Sequence, residues 1–312
     1  MANILITEFM NQEQVEQLSL VHNVSYEPEL YLDSKALLEK SVKVHALIVR
    51  NKTKVDKTLL DAAKYLKVLG RLGVGLDNID VLHCNEKNVP IVVAEGANAK
   101  SVSEYVMMGL LTLFRGTMSS TESIVKGEWN RAGNIGSEIN GKTLGIIGIG
   151  TIGRIVAENA GTMGMNLIGN DIEISDDDSV WGQLNIECCS FEDLVHRSDA
   201  ITLHVPLNQE THNLFGEEEF KKMPKGSFII NTSRGGIVNE SDLLKYLKNG
   251  HLGGAMLDVF ENEPVKDSAI FSGLPNLILT PHIAGLTNES NVRVSQTISD
   301  KILDFLILGG KE

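Results

Sequence analysis

Three ionisable residues, Arg234, Glu263 and His282, follow predicted strands late in the chain. A guanidinium binds a planar carboxylate through two parallel hydrogen bonds, an imidazole exchanges protons near neutral pH, and a neighbouring carboxylate favours the protonated imidazole. Each residue also has an ordinary explanation: a surface ion pair for Arg234, a loop acid before Pro264 for Glu263, and a solvated side chain for His282. Because parallel strands end at one edge of a sheet, we expect the three to meet there as an acid–base site.

A glycine motif precedes these residues. Gly148, Gly150 and Gly153 have G-x-G-x-x-G spacing after an apolar run and before a helical pattern, and Asp171 closes the next predicted strand. Glycines at this spacing permit a tight turn, a close approach of the backbone to a pyrophosphate, and close packing of helix against strand, while the acid binds the ribose hydroxyls. The motif therefore predicts a dinucleotide site. The alternative is a glycine-rich turn in some other α/β domain, with Asp171 a solvated loop acid.

A dinucleotide site beside the acid–base residues indicates hydride transfer to or from a 2-keto acid. That reaction needs a cation for the carboxylate, a proton donor for the carbonyl oxygen, and a group that keeps the donor protonated, which Arg234, His282 and Glu263 can supply. We expect NAD rather than NADP as the cofactor, because Asp171 would repel a 2′-phosphate and Ile172 and Glu173 offer no cation.

The first part of the chain alternates short apolar runs with helical patterns, which predicts a parallel sheet with crossover helices. The predicted strands are 3–7, 46–49, 68–72 and 91–93, and the first helix is 12–20. Gly73 and Gly75 come just after the third of these strands, where ligands gather in open α/β sheets. This loop is interpreted either as a ligand contact or as a plain turn with Asn78 capping the next helix.

The first domain crossing is placed at 95–98, ahead of a long helix. Ser101-x-x-Glu104 has the spacing of a capping box at its start. The stretch 118–140 then predicts a helix and a polar loop that contains Trp129, interpreted as a dimer arm or as a surface hairpin with Trp129 folded back on its own domain.

The rest of the chain continues the α/β alternation. The predicted strands are 166–170, 200–205, 227–231, 254–259 and 276–280, and the predicted helices are 191–195, 240–248 and 289–308, with a solvated loop at 176–178.

Composition excludes several classes of protein. The formal net charge is −13 and the pI is about 5.1, so the field of the whole molecule repels nucleic acid and anionic membranes. Cys84, Cys188 and Cys189 lack metal-ligand spacing, so we expect reduced thiols, no metal and a cytoplasmic location. The first ten residues lack a basic n-region, and the longest apolar stretch is too short to span a bilayer.

At the level of whole motifs the sequence resembles the D-isomer-specific 2-hydroxyacid dehydrogenase family along nearly the whole chain. The matching stretches are VGLDNID from Val74, GKTLGIIGIGTIGR from Gly141, HVPL from His204, NTSRGG from Asn231, LDVFENEP from Leu257 and TPHIAG from Thr280. Within the family the nearest types are short phosphoglycerate dehydrogenases and sulfolactate dehydrogenases, which are suggested by IVRNKTKV from Ile48, GRLGVG from Gly70 and HIAGLTNESNVRVS from His282.

The resemblance implies an α/β fold of two Rossmann-like parallel-sheet domains. A discontinuous substrate-binding domain would comprise residues 1–98 and 286–312, and an inserted NAD-binding domain with a dimer arm would comprise residues 99–285. Family members are usually homodimers through the NAD-binding domain. Feedback by a serine-binding module is not expected, because the resemblance does not extend to the added C-terminal regulatory domain of the long phosphoglycerate dehydrogenases.

The resemblance also implies the roles of particular residues. His282, Glu263 and Arg234 would be catalytic, and the main chain of Val74 and Gly75 would hold the substrate carboxylate. Further substrate contacts would come from Asn98, from Arg50 and Arg71 for a second anionic group, and from Arg131 across the dimer. The implied NAD contacts are Gly148, Gly150, Thr151, Ile152, Gly153, Asp171, Val205, Pro206, Thr211, Thr232, Ser233, Asp258, Ala284 and Gly285, with Asp258 beside the nicotinamide.

The substrate would be a small anionic acid such as 3-phosphoglycerate or 3-sulfolactate. Glu263 stands where the formate-oxidising branch has glutamine, which argues against formate. Two alternatives remain open: a hydroxypyruvate or glyoxylate reductase, and a non-enzymatic protein that senses NAD(H) through the same fold.

Overall fold

The computed structural model describes residues 1–117, 120–274 and 276–308. By their internal contacts the residues form two compact units, one comprising Met1–Asn98 with Leu286–Glu312 and the other comprising Ala99–Gly285. Each unit is built on one parallel sheet with helices on its faces, so the prediction of two parallel-sheet α/β domains is confirmed.

Unit 1 contains a five-stranded parallel sheet. Its strands are β1 (Asn3–Ile6), β2 (Asn23–Tyr26), β3 (Ala46–Val49), β4 (Val68–Arg71) and β5 (Ile91–Val93), in the order β2-β1-β3-β4-β5. Its helices are α1 (Gln12–Ser19), α2 (Ser34–Ser41), α3 (Lys57–Ala62), α4 (Val81–Glu86) and α12 (Asn288–Leu308). The order reverses direction between β1 and β3, so a crevice for ligands is expected at the carboxyl ends of these two strands.

The sheet of unit 1 is covered on both faces, which is why β3 is buried along its whole length. On one face α12 contributes Val294, Ile298 and Ile302 to the core that covers β1, β3 and β4. Gly70 on β4 makes room for this helix, since a Cβ there would lie 3.0 Å from Ile298. Residues 286–308 therefore complete the core of the first unit.

Unit 2 contains a seven-stranded parallel sheet in the order β12-β11-β10-β9-β6-β7-β8. Its strands are β6 (Thr143–Ile147), β7 (Asn166–Asn170), β8 (Glu187–Cys188), β9 (Ala200–Leu203), β10 (Phe228–Asn231), β11 (Gly254–Leu257) and β12 (Leu277–Leu279). Its helices are α5 (Ala99–Arg115), α6 (Ser120–Val125), α7 (Thr151–Thr162), α8 (Ser179–Gln183), α9 (Phe191–Arg197), α10 (Glu217–Lys222) and α11 (Glu240–Lys248). The order reverses between β6 and β9, as in the dinucleotide-binding variant of the fold.

Two local interpretations were wrong. The long helix α5 begins at Ala99, so the buried Ser101 lies inside its first turn and does not form a capping box. Asp80 rather than Asn78 caps α4, by accepting a hydrogen bond from His83 N at 3.0 Å. The predicted solvated loop at 176–178 is confirmed, since all three residues are exposed, and Asp178 at its end caps the short helix α8.

The segment after α5 is largely exposed. Part of the predicted stretch 118–140 lies outside the described residues, but α6 and a 3₁₀ turn at Ala132–Asn134 are present. Trp129 is 79% exposed, which rules out the interpretation that it folds back on its own domain. Among the described residues no helix is long and apolar enough to cross a membrane.

Candidate active site

The loop after β12 carries His282 beside Glu263. The two side chains form a hydrogen bond of 2.7 Å between His282 Nδ1 and Glu263 Oε2, while Glu263 Oε1 accepts from Phe260 N at 3.1 Å. Burial by itself would raise the pKa of Glu263, but the hydrogen bond and charge of His282, the Phe260 amide and the charge of Arg234 together lower it. Glu263 is therefore ionised around neutral pH, and the hydrogen bond orients the imidazole.

A buried aspartate fixes the main chain on which His282 stands. Asp258 is fully buried, and its carboxylate accepts hydrogen bonds from Ile283 N at 2.8 Å, Ala284 N at 2.7 Å and Thr280 Oγ1 at 2.7 Å. Its own carbonyl accepts from His282 N at 2.8 Å. These bonds stabilise a left-handed backbone at His282, where φ is +57°. A non-glycine residue adopts that conformation only where its surroundings impose it.

Arg234 follows β10 in a turn held by Asn231. Asn231 Nδ2 donates to Arg234 O at 2.8 Å, and Asn231 Oδ1 accepts from both the backbone N and the hydroxyl of Ser233. Gly235 packs directly on the next loop, since a Cβ there would lie 1.7 Å from Phe260 O. This contact brings the Arg234 turn against the loop that carries Glu263, so Arg234, Glu263 and His282 lie at one sheet edge of unit 2.

The glycine motif forms the turn between β6 and α7. Gly148 has a φ of +90°, and a Cβ on it would lie 2.5 Å from His204 O. A Cβ on Gly153 would lie 2.1 Å from Gly148 O, whereas a Cβ on Gly150 would meet no atom within 4 Å. Gly148 and Gly153 are thus required by the turn itself, and Gly150 leaves open space in front of it.

Helix α7 begins without a side-chain cap. Gly150 occupies the N-cap position, so no side chain accepts from the first N–H groups of this helix. Uncapped N–H groups and the positive end of the helix dipole attract an anion, and the open space at Gly150 admits one. Thr151 and Ile152 lie in this first turn. The turn therefore fits the pyrophosphate of a dinucleotide.

Asp171 lies beside this turn. Its Oδ2 accepts from Ile149 N at 2.7 Å and its Oδ1 from Glu173 N at 2.9 Å. Each carboxylate oxygen has a further lone pair, so the side chain remains able to accept from ribose hydroxyls. Ile172 is 78% exposed directly after it.

The remaining predicted NAD contacts follow β9, β10 and β12. Thr232 is nine-tenths buried, and its hydroxyl lacks a hydrogen-bond partner among the described residues, which fits a polar ligand group at that point. Thr211 differs, because its hydroxyl already bonds Pro206 O at 2.6 Å and Asn208 N at 2.8 Å. Val205 and Ser233 are partly exposed, and Ala284 and Gly285 continue the loop held by Asp258.

In unit 1 the switch point between β1 and β3 is lined by Glu8 and Arg50. Glu8 is 3% exposed, and its carboxylate accepts from the backbone N of Arg50 at 2.9 Å, of Lys52 at 3.0 Å and of Thr53 at 2.8 Å. Asn78 Nδ2 donates to Arg50 O at 3.1 Å. Burial lowers the pKa of Arg50, and the charge of Glu8 opposes that shift. The hydrogen bonds of Glu8 and Asn78 therefore hold the backbone of the loop after β3 in place.

Arg71 ends β4, two strands along from β1. Its Nη1 donates to Leu72 O at 2.9 Å, and the guanidinium packs so closely on Gly73 that a Cβ there would lie 1.7 Å from Nη1. Gly73 has a φ of +145°, which also favours glycine. Val74 is 43% exposed, and Gly75 follows it in the same loop.

Two predicted substrate residues lie outside these clusters. Asn98 is the last residue of the first segment of unit 1. Arg131 is exposed in the segment after α6, and within the described part of the chain no hydrogen bond or ion pair joins it to the other predicted site residues.

Sequence reasoning missed Glu8, Asn291 and the loop-holding role of Asp258. A carboxylate just after an apolar first strand was a signal for Glu8, because buried acids are rare unless their charge is satisfied. Asn291, whose Oδ1 accepts from Arg50 Nη2 at 2.8 Å, gave no signal, since the two residues are distant in sequence. No group of three metal-ligating side chains occurs in the described ranges.

A parallel sheet with an uncapped glycine turn, an acid beside that turn and an imidazole–carboxylate pair indicates an NAD-dependent 2-hydroxyacid oxidoreductase. The comparisons agree: residues 107–284 match the model of the D-isomer specific 2-hydroxyacid dehydrogenase NAD binding domain, and the chain belongs to that family.

Particular relatives and one solved structure are similar to this chain along nearly its whole length. An (S)-sulfolactate dehydrogenase of Chromohalobacter salexigens is 43% identical over 302 residues, which cover 97% of each chain. A D-3-phosphoglycerate dehydrogenase of Methanocaldococcus jannaschii is 39% identical over 98% of this chain but only 58% of that enzyme. A D-lactate dehydrogenase of Aquifex aeolicus, solved with NAD and lactic acid, superposes with a TM-score of 0.86 at 27% identity, covering 99% of this chain and 96% of that one.

Proposed function

We propose that this protein transfers hydride between NAD and a small 2-hydroxy or 2-keto acid that carries a second anionic group, such as 3-phosphoglycerate or 3-sulfolactate. The observation that carries this assignment is the fixed Arg50 loop at the switch point of unit 1, which presents a guanidinium where a ligand is expected. A protein of net charge −13 needs such locally placed cations to bind a dianion or trianion. The two relatives that act on sulfolactate and phosphoglycerate support the same class of substrate.

The catalytic roles follow from the geometry of unit 2. His282 would give a proton to the carbonyl oxygen in reduction and take one from the hydroxyl in oxidation, with its ring oriented by Glu263. Arg234 would bind the substrate carboxylate through two parallel hydrogen bonds. Asp258 would keep the His282 loop in register while lying beside the nicotinamide.

NAD supplies the hydride acceptor or donor at this site. The glycine turn (Gly148 and Gly150) and the first turn of α7 (Thr151, Ile152 and Gly153) would hold its pyrophosphate, and Asp171 would bind its adenosine ribose. The rest of the dinucleotide would be lined by Val205, Pro206, Thr211, Thr232, Ser233, Ala284 and Gly285.

Because a carboxylate repels a 2′-phosphate, Asp171→Ala should reduce the ratio of kcat/KM with NADH to kcat/KM with NADPH.

The second anionic group is tested by removing each arginine separately. Arg50→Ala and Arg71→Ala should each lower kcat/KM for phosphohydroxypyruvate and sulfopyruvate by a factor that corresponds to a loss of about 2–4 kcal/mol in transition-state stabilisation. The kcat/KM for hydroxypyruvate should barely change. Lys35→Ala removes an exposed positive charge from α2 of the same unit and serves as the matched control. Equal losses toward both kinds of substrate would show that the arginines do not bind a second anion.

The same experiment separates the competing functions. A wild-type protein that prefers hydroxypyruvate or glyoxylate over phosphohydroxypyruvate and sulfopyruvate is a hydroxypyruvate or glyoxylate reductase. A protein that binds NADH but turns over no member of a panel of small keto and hydroxy acids is a sensing protein without catalysis.

We also propose a cytoplasmic homodimer joined through the arm after α5. Val125, Trp129 and Ile135 are 81%, 79% and 82% exposed, and large apolar groups this exposed favour a partner surface. Arg131 lies between them in sequence and would reach the partner's substrate. Sedimentation analysis of wild type and Trp129→Ala tests this, since a monomeric wild type would contradict it.

A further inference from the structure

The first turn of α12 brings an amide against the Arg50 guanidinium. Asn291 Oδ1 accepts from Arg50 Nη2 at 2.8 Å. Because a guanidinium can only donate hydrogen bonds, the amide oxygen must face Arg50 and the amide NH₂ group must point away from it. The described residues provide no acceptor for that NH₂ group. A cationic donor and a neutral donor thus lie next to each other.

This pair stands on a fixed support. Glu8 and Asn78 hold the backbone of Arg50, and Asn291 N bonds Thr287 O at 3.0 Å at the start of the helix. The negative charge of Glu8 lies close to Arg50 but is directed at three backbone N–H groups of the loop. The guanidinium keeps its charge, because burial shifts the pKa of an arginine down from a value far above neutrality. The pair is therefore pre-organised for an anion.

We propose that Asn291 is a specificity-determining residue that, together with Arg50, binds the tetrahedral oxyanion at the far end of the substrate. This inference rests on the proposed function and adds the neutral half of the receptor. The amide fixes the direction of the guanidinium and donates to a second oxygen of the phosphate or sulfonate. Its neutrality is essential, since a carboxylate at this position would pair with Arg50, cancel its charge and repel the ligand.

The test is a charge change at one amide with a matched change three residues earlier. Asn291→Asp places a carboxylate against Arg50, whereas Asn288→Asp places one on the exposed first residue of the same helix. The quantity measured is the ratio of kcat/KM for phosphohydroxypyruvate, and separately for sulfopyruvate, to kcat/KM for hydroxypyruvate. Asn291→Asp should lower this ratio about 100-fold, Asn291→Ala about 10-fold, and Asn288→Asp less than about threefold.

Each possible outcome of these kinetic measurements either supports or overturns the role proposed for Asn291. A wild-type preference for the doubly anionic substrates that survives in Asn291→Asp overturns the role of Asn291 alone. An equal loss in Asn288→Asp also overturns it, because the effect would then be a general one of helix charge. A wild type without the preference overturns the proposed second anion and this inference together. Thermal unfolding and NADH binding report whether each variant folds, and if Asn291→Asp does not, the ratio in Asn291→Ala decides.

Discussion

The two sheets of this protein differ in the polar groups that they present at their switch points. In unit 2 the helix that follows the switch-point strand β6 starts at Gly150 with no side-chain cap, so its backbone N–H groups remain open. In unit 1 the helix after β1 is capped by Asn11, whose Oδ1 accepts from Glu13 N at 3.1 Å. The crevice there is lined by the side chains of Glu8 and Arg50 instead.

This difference shows that the fold places a crevice at the switch point of each sheet, whereas the local residues determine which chemical group can bind there. A glycine turn presents backbone dipoles to an extended diphosphate, whereas a guanidinium fixed by neighbouring side chains presents a full charge to a compact anion. Unit 2 therefore suits a large cofactor, and unit 1 suits the charged end of a small substrate.

The largest expected effect comes from removing the proposed proton donor, His282, from unit 2. His282→Ala should lower kcat by about 10²–10⁴-fold and leave NADH binding largely intact, because in the proposed function the imidazole would act in the chemical step and would not bind the dinucleotide. Steady-state kinetics and a fluorescence titration with NADH measure the two quantities. A variant that keeps kcat within a factor of a few would remove His282 from the acid–base role.

Two alanine substitutions separate the structural role of the glycine turn from its proposed role in NADH binding. Gly153→Ala should destabilise unit 2 by about 2–4 kcal/mol, because the new Cβ would lie 2.1 Å from Gly148 O. Gly150→Ala meets no atom within 4 Å, so it should unfold like wild type yet bind NADH about tenfold more weakly. Denaturant unfolding and NADH titration of both variants check this. Equal instability of the two would show that the open space at Gly150 serves the fold.

A smaller change concerns the partner of the imidazole. Glu263→Gln exchanges an ionised carboxylate for an amide that stabilises imidazolium less well, so the alkaline limb of the reduction rate should move to lower pH by about one unit. The pH profile of kcat/KM from pH 5 to 9 measures the shift, with Glu261→Gln in the same loop as the control. An unchanged profile would leave Glu263 with no part in protonation.

The smallest effect compares one histidine from each unit. Hydrogen bonds to Asp61 and Glu86 raise the pKa of His83, and Asp61 is shared with Lys57 and Lys87. His83 therefore stabilises unit 1 fully below about pH 6.5, and this contribution is lost as the pH rises through its raised folded pKa.

His204 in unit 2 has the opposite sign. Burial lowers its pKa to about 3, so it costs stability as the pH falls below about 6.5. His83→Gln should therefore flatten the pH dependence of hydrogen exchange in α4 between pH 6 and 8 and leave unit 2 as it was. A pH dependence in α4 that persists in the variant would assign it to another group.

Local patterns carried most of the fold and the cofactor turn from sequence alone. The glycine spacing is a property of six consecutive residues, and the apolar runs of β3, β5 and β7 set their bounds directly. Parallel strands also placed Arg234, Glu263 and His282 at one edge, where the structure joins the last two by a hydrogen bond.

What sequence reasoning could not supply were contacts between distant residues and choices between competing caps. Asn291 reaches Arg50 only because α12 returns to the first sheet. The error at Ser101 has a similar origin, since the helix extends past a good local cap to Ala99, where Ala99 and Val102 are buried. Tertiary burial there outweighed the local preference.

The late position of α12 also determines the order in which the chain can mature on the ribosome. Unit 2 is continuous in sequence and is synthesised completely before Asn288 is reached. The sheet of unit 1, although made first, has Ile298 and Ile302 missing from one face until the last helix emerges. Domains fold as units once their cores are complete, so we expect the second-made unit to become resistant to protease first on nascent chains.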